Sequence, residues 1–259
     1  MSVRRVMAVA GLLAAVGFAA REPAAVRAAP PKATNVVPST FRAQLVYDKR
    51  FPLKVVRQKE EDIKDDDRDP RDRTGKMHCL VCEYGLSPVV AIFVRETPKV
   101  GDGLSKLLTK LDAPPKAANE PREGLLTKYK SEKLTAFAMF LKLEGGTKMV
   151  PVKDPAPGEP DMVTVDLEYP HDEKRAEKVE EVKAYFRTVN TDKIPFGLAA
   201  EKSTAVTAFG IMETTPITVV IYNRLRVVKR WELKSDELTD EKIAEILSAT
   251  TEMVTGKKP

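Results

Sequence analysis

Two apolar runs near the middle of the chain set its frame. Val89-Val90-Ala91-Ile92-Phe93-Val94 is unbroken by any polar residue and is bounded by Pro88 and Arg95. Its length and β-branching predict a strand buried on both faces, as in a parallel sheet. Leu134 to Leu141, centred on Phe137-Ala138-Met139-Phe140, predicts a second buried strand. Between them Leu104, Leu107, Leu108 and Leu111 recur at i, i+3, i+4 and i+7, which predicts one apolar helix face over 102–111. Pro114 and Pro115 end that helix. The simplest arrangement of strand, helix and strand is a right-handed parallel crossover.

The second half is patterned as clearly. Lys174 to Val189 predicts a long helix with Ala176, Val179, Val182, Phe186 and Val189 on one face. Asp172 and Glu173 suit its positive N-terminal end. Glu201 to Phe209 predicts a shorter helix, and Gly210 stands where a left-handed C-cap is needed. Ile217–Tyr222 and Leu225–Trp231 flank Asn223-Arg224, which predicts a tight hairpin. Thr239 is a good N-cap for a last helix whose apolar face is Ile243, Ile246 and Leu247. Phe41 to Tyr47 alternates and predicts an entry strand. Met149–Val152 and Met162–Leu167 lean to β and predict a hairpin excursion between Gly145 and Pro170. Lys59 to Arg73 is almost wholly charged and reads as a solvated loop. Trp231, in the last strand, reads as packing rather than a binding platform.

Composition adds compartment and class. The 259 residues suffice for one sizeable domain with extensions. The net charge is only +5, and acids are interleaved with the basic residues, so no stripe for nucleic acid forms. Arg4 and Arg5 precede an apolar stretch from Val6 to Ala20, and small residues follow. That order predicts a signal peptide over 1–28; its apolar stretch is short for a span of about 20 residues, and the alternative is an uncleaved N-terminal anchor. A flexible linker is expected over 29–40, an N-terminal extension with the charged loop over 41–87, and the main domain over 88–255. The expected location is extracytoplasmic, periplasmic or secreted, with no stable membrane span once the signal is cleaved.

The candidate chemistry is a single pair, Cys79-Leu80-Val81-Cys82, the only cysteines in the chain. Their spacing closes a loop too small to constrain the unfolded chain much. Such a pair can exchange disulfides, one sulfur attacking and the other resolving. It can also be a static bond pinning a loop. With His78, and His171 as a remote ligand, it can hold copper or zinc. His78 and Lys76 favour thiolate at Cys79, whereas Glu83 opposes them. No phosphate-cradling glycine loop and no nucleophile elbow is present, and no cofactor is expected.

The ordered set of strand, helix, strand, long helix, short helix, Thr215-Pro216, hairpin and helix resembles the thioredoxin-like superfamily, in its peroxiredoxin and thiol–disulfide reductase branch. Lys183-Ala184-Tyr185-Phe186, Ile194-Pro195-Phe196 and Phe209 through Tyr222 carry the likeness, which covers about Pro88 to Thr250. The resemblance implies an α/β thioredoxin-like fold: a central mixed sheet, a C-terminal antiparallel hairpin and flanking helices. It implies a cis Thr215–Pro216 bond, with Pro216 shaping the site. Cys79, the N-terminal member of the pair and next to His78, is expected to be the attacking thiol and Cys82 the resolving one, with exported protein thiols or disulfides as partners. In thioredoxins the cysteines follow the first strand of the motif. Here the matching segment, Arg95-Glu96-Thr97-Pro98-Lys99, has none, and the pair precedes Val89–Val94. The pair is therefore expected nearer the opposite end of that strand.

Overall fold

A computed structural model describes residues 35–38, 40–51, 69–97, 99, 101–113, 124–144, 146–152, 157, 162–167 and 172–257. The expected signal peptide, residues 59–68 of the charged loop and His171 lie outside the described residues. In chain order the elements are β1 (Arg42–Tyr47), β2 (Met77–Cys79), α1 (Leu80–Tyr84), β3 (Val89–Val94), α2 (Gly103–Leu111), α3 (Leu125–Lys128), β4 (Thr135–Leu143), β5 (Gly146–Pro151) and β6 (Met162–Leu167). Then follow α4 (Asp172–Val189), β7 (Phe196–Ala200), α5 (Thr204–Ala208), β8 (Ile217–Asn223), β9 (Arg226–Leu233) and α6 (Asp240–Thr255).

Seven strands form one mixed sheet in the order β2-β1-β7-β4-β3-β8-β9, and β5 and β6 form a separate antiparallel pair. The crossover predicted between the two apolar runs is present, with β3 and β4 parallel and α2 joining them. Every residue of β3 is buried. Val90, Ile92 and Val94 face one apolar cluster, closed by α2, α4 and α6. Val89, Ala91 and Phe93 face the other, closed by α1 and α5. This two-sided burial explains why the strand reads as a continuous apolar run instead of an alternation. Asp102 caps α2 by accepting from the Leu104 and Ser105 amides, so the helix starts one residue later than its polar entry suggests. With two parallel crossovers on one face, a return through α5 on the other, and a terminal hairpin and helix, the fold is thioredoxin-like.

Four local expectations are corrected. The hairpin turns at Arg224-Leu225, not Asn223-Arg224; both turn residues have positive φ, 51° and 61°, and Asn223 still pairs with Arg226. The segment 201–209 is helical only from Thr204, because Ser203 is the N-cap and the chain before it is β7, between β4 and β1. Gly210, with φ 66°, supplies the expected left-handed exit. The linker expected through residue 40 is docked from Asn35 onward: Val37 is buried and donates to the Leu225 carbonyl at 2.8 Å, and Val227 donates to the Asn35 carbonyl at 3.0 Å. Val37 gives that stretch apolar surface to bury, while its neighbour Val36, 58% exposed, pairs with Arg226 in an isolated antiparallel bridge. Finally, the described peptide bonds are all trans, Thr215–Pro216 included. Pro216 stands just ahead of β8, where a missing N–H costs no ladder bond, and its carbonyl accepts from Arg95 at 2.8 Å.

Trp231 is a packing residue. It is buried, donates from Nε1 to Glu245 at 2.9 Å and lies under the Lys229 ammonium.

Candidate functional site

The two cysteines form a disulfide, with Cα atoms 5.3 Å apart. β2 ends at Cys79 and α1 begins at the next residue, so Cys79 is the N-cap. Its backbone is extended (φ −112°, ψ 96°), and its Sγ accepts from the Cys82 amide at 3.1 Å. A second amide, that of Phe41, points at the same sulfur from 3.4 Å. Cys79 is half-buried against the apolar cluster of Phe41, Leu80 and Val81, whereas Cys82 is exposed.

A charged cluster braces the elbow from outside. His78 Nε2 meets Glu83 Oε2 at 2.7 Å, and Arg50 Nη1 donates to Glu83 Oε1 at 2.7 Å. Arg50 also donates from Nε and Nη2 to Asp48, whose side chain is fully buried. The same guanidinium donates to the Tyr84 hydroxyl at 2.8 Å, and that hydroxyl reaches the Ala136 carbonyl at 3.4 Å. Burial is the largest single influence on Arg50 and opposes its charge, but the hydrogen bonds to Asp48 and Glu83 and the charges of Tyr84 and Asp48 together outweigh it and raise the guanidinium pKa. Burial pushes the Tyr84 phenol far above its usual range, so it stays neutral. Sequence reasoning missed Arg50, Asp48, Tyr84 and the Phe41 amide. Arg50 lies 33 residues from Glu83, and no local pattern links them.

The sheet register locates the pair. Met77, Gln44, Leu198, Phe140, Val94 and Ile217 lie in one row across six strands. β2 runs parallel to β3, so Cys79 lies two residues beyond that row, at the C-terminal end of β3. Pro216 lies one residue beyond it at the same end, because β8 runs antiparallel. The expectation that the pair sits at the opposite end of β3 is therefore corrected. A strand precedes it after all, and α1 carries the chain back, as the Tyr84–Ala136 contact near the start of β4 shows. Yet five strand spacings of ~4.8 Å, about 24 Å, separate Pro216 from the sulfurs along the sheet. The structure joins Cys79 to Cys82, and Pro216 stands at the start of β8, five positions along the strand order from β2.

The place matching the thioredoxin cysteines, after β3, holds a polar network instead. Arg95 Nε donates to the Met212 carbonyl at 3.0 Å, tying the approach to β8. Thr97 Oγ1 donates to Glu181 at 2.5 Å, and Lys142 and Lys178 pair with the same carboxylate. Burial pushes the Glu181 carboxyl up, but the hydrogen bonds from Lys142, Thr97 and Lys178 and the Lys142 charge together outweigh it and hold the pKa at about 2. A carboxylate with a depressed folded pKa adds stability above its unfolded pKa of about 4.5 and loses it as pH falls toward about 2. Wild type should therefore exceed Glu181→Gln in stability at pH ~5, with the gap closing by pH ~2 in urea melts. A gap that stays constant over that range would contradict this assignment.

Both sulfurs are committed to the disulfide, so in this form neither offers the thiolate that copper or zinc needs. Among the described residues no group of three His, Cys, Asp or Glu side chains is placed to hold a metal. No helix among them is long and apolar enough to cross a membrane.

No family model matches the sequence, and no curated protein matches it. Among solved structures, an uncharacterized conserved protein from Geobacillus kaustophilus is 12% identical, with a TM-score of 0.46 over 86% of this chain and 82% of that one. A hypothetical protein from Sinorhizobium meliloti gives 12% identity and a TM-score of 0.46 over 87% and 86%. The bacterioferritin comigratory protein from Xanthomonas campestris gives 10% and 0.39 over 70% and 88%. By its own strand order and crossovers, the chain is a thioredoxin-like α/β protein whose dicysteine elbow stands on an edge strand rather than after the central one.

Proposed function

We propose that this protein carries out thiol–disulfide exchange at Cys79 and Cys82, outside the cytoplasm, with exported protein thiols or disulfides as partners. One observation carries the reading: a closed Cys-x-x-Cys disulfide at a strand–helix elbow, with one sulfur-bearing residue exposed and the other hydrogen-bonded. A bond across a loop this short removes little entropy from the unfolded chain, so global stability is a poor reason for it. The basic-then-apolar pattern of residues 1–28 supports export, and an oxidising compartment keeps such a bond closed.

Equilibrating the mature chain against glutathione and dithiothreitol tests the reading. The pair should have a reduction potential above about −300 mV, the range of exchangeable rather than structural bonds. A value below that range would overturn exchange and leave a non-catalytic domain with a stapled loop. That second reading has its own support in the burial of Leu80 and Val81 beside the bond.

A further inference from the structure

The disulfide presents its two sulfurs unequally, and we infer that an incoming thiolate attacks Cys82 while Cys79 departs. The inference rests on the exchange reading and adds its direction, opposite to the order suggested by chain position. Displacement at sulfur needs the attacking, attacked and leaving atoms nearly in line. Attack on Cys82 comes from the side away from Cys79, and Cys82 is exposed. Attack on Cys79 would have to come from the side away from Cys82, yet Cys79 is half-buried, with the Phe41 amide on its sulfur and the apolar cluster against it.

The leaving group is prepared as well. Cys79 Sγ already accepts from the Phe41 and Cys82 amides, at 3.4 and 3.1 Å. Both bonds strengthen as that sulfur gains negative charge, because hydrogen bonds to an ionised acceptor are the stronger kind. The donors are backbone groups, one at the entry to β1 and one in α1, so little reorganisation is needed.

The step balances without any further reactant. A thiolate of a substrate dithiol forms a bond to Cys82 Sγ. The Cys79–Cys82 bond breaks, and its electron pair leaves on Cys79 as thiolate. The second substrate thiol, deprotonated, attacks the substrate sulfur of the mixed disulfide and releases Cys82 thiolate. The substrate is oxidised to a disulfide, and the protein takes up the two electrons. In reverse, Cys82 is the attacking thiolate and Cys79 resolves.

Brief exposure of the oxidised mature chain to reduced glutathione, trapping with N-ethylmaleimide and peptide mass mapping tests the direction. Glutathione on Cys82 with maleimide on Cys79 should exceed the reverse pattern about tenfold. As a second readout, the pH profile of alkylation in Cys82→Ser should place the Cys79 thiol below the free-cysteine value of about 8.5. In Cys79→Ser, the Cys82 thiol should titrate above the Cys79 thiol. Glutathione mainly on Cys79, or equally on both, overturns the direction and leaves exchange standing. No adduct on either sulfur, together with a potential in the structural range, overturns exchange itself and the direction with it.

Discussion

Phe93→Ala is expected to lower the unfolding free energy by about 3–5 kcal/mol, the usual cost of emptying a buried phenylalanine site. Phe93 is 1% exposed and sits in the central strand β3. Its ring lies 4.9 Å from that of Phe209, 5.6 Å from Phe41 and 6.1 Å from Phe137. Those rings come from α5's C-cap, the segment entering β1, and β4. One side chain thus joins four separate parts of the chain on the face that α1 covers. The neighbours cannot collapse into the space, because three of them are themselves rigid rings. A domain of ordinary stability has about 5–15 kcal/mol in total, so the loss is a large share. Urea unfolding should show a lower midpoint with an unchanged slope. A shift worth less than about 1 kcal/mol would mean that this face is loosely packed.

Arg50→Ala is expected to cost about 3 kcal/mol, the lower end for breaking a buried ion pair by removing one partner. The loss comes less from the missing attraction than from what stays behind. Asp48 remains fully buried, without the guanidinium that donates to both of its oxygens. Glu83 loses its 2.7 Å partner, and Tyr84 loses a donor. Removing Asp48 as well should restore part of the stability, so the Asp48→Ala/Arg50→Ala double variant should lose less than the sum of the singles. Additive single and double effects in urea melts would show that the pair is not coupled. The cluster also anchors α1 to the end of β1, so Arg50→Ala should loosen the elbow that bears Cys82.

Much of this architecture could be read along the chain. β3, β4, α2, α4, the β8–β9 hairpin and α6 each carry a complete signal within their own residues: a continuous apolar run, a 3.6-residue period, or a cap. β7 escaped because Phe196-Gly197-Leu198-Ala199-Ala200 has no β-branched residue. Gly197 is explained only by its neighbour, since a Cβ there would lie 2.5 Å from Met139 Sδ on β4. β2 and α1, of three and five residues, are too short to show a period.

The candidate site divides in the same way. The presence of a local dicysteine pair, and its ability to close, follow from spacing alone, because four residues cannot place two sulfurs far apart. Its position could not follow from spacing. β2 lies beside β1 only because hydrogen bonds pair Arg42 with Cys79 and Gln44 with Met77, residues more than thirty positions apart. That pairing brings the sulfurs to the same end of the sheet as Pro216, with β2 and β8 five positions apart in the strand order. Periodicity records which face of an element is buried. It carries no term for which strand will lie alongside, and here that lateral choice fixes the surroundings of both sulfurs.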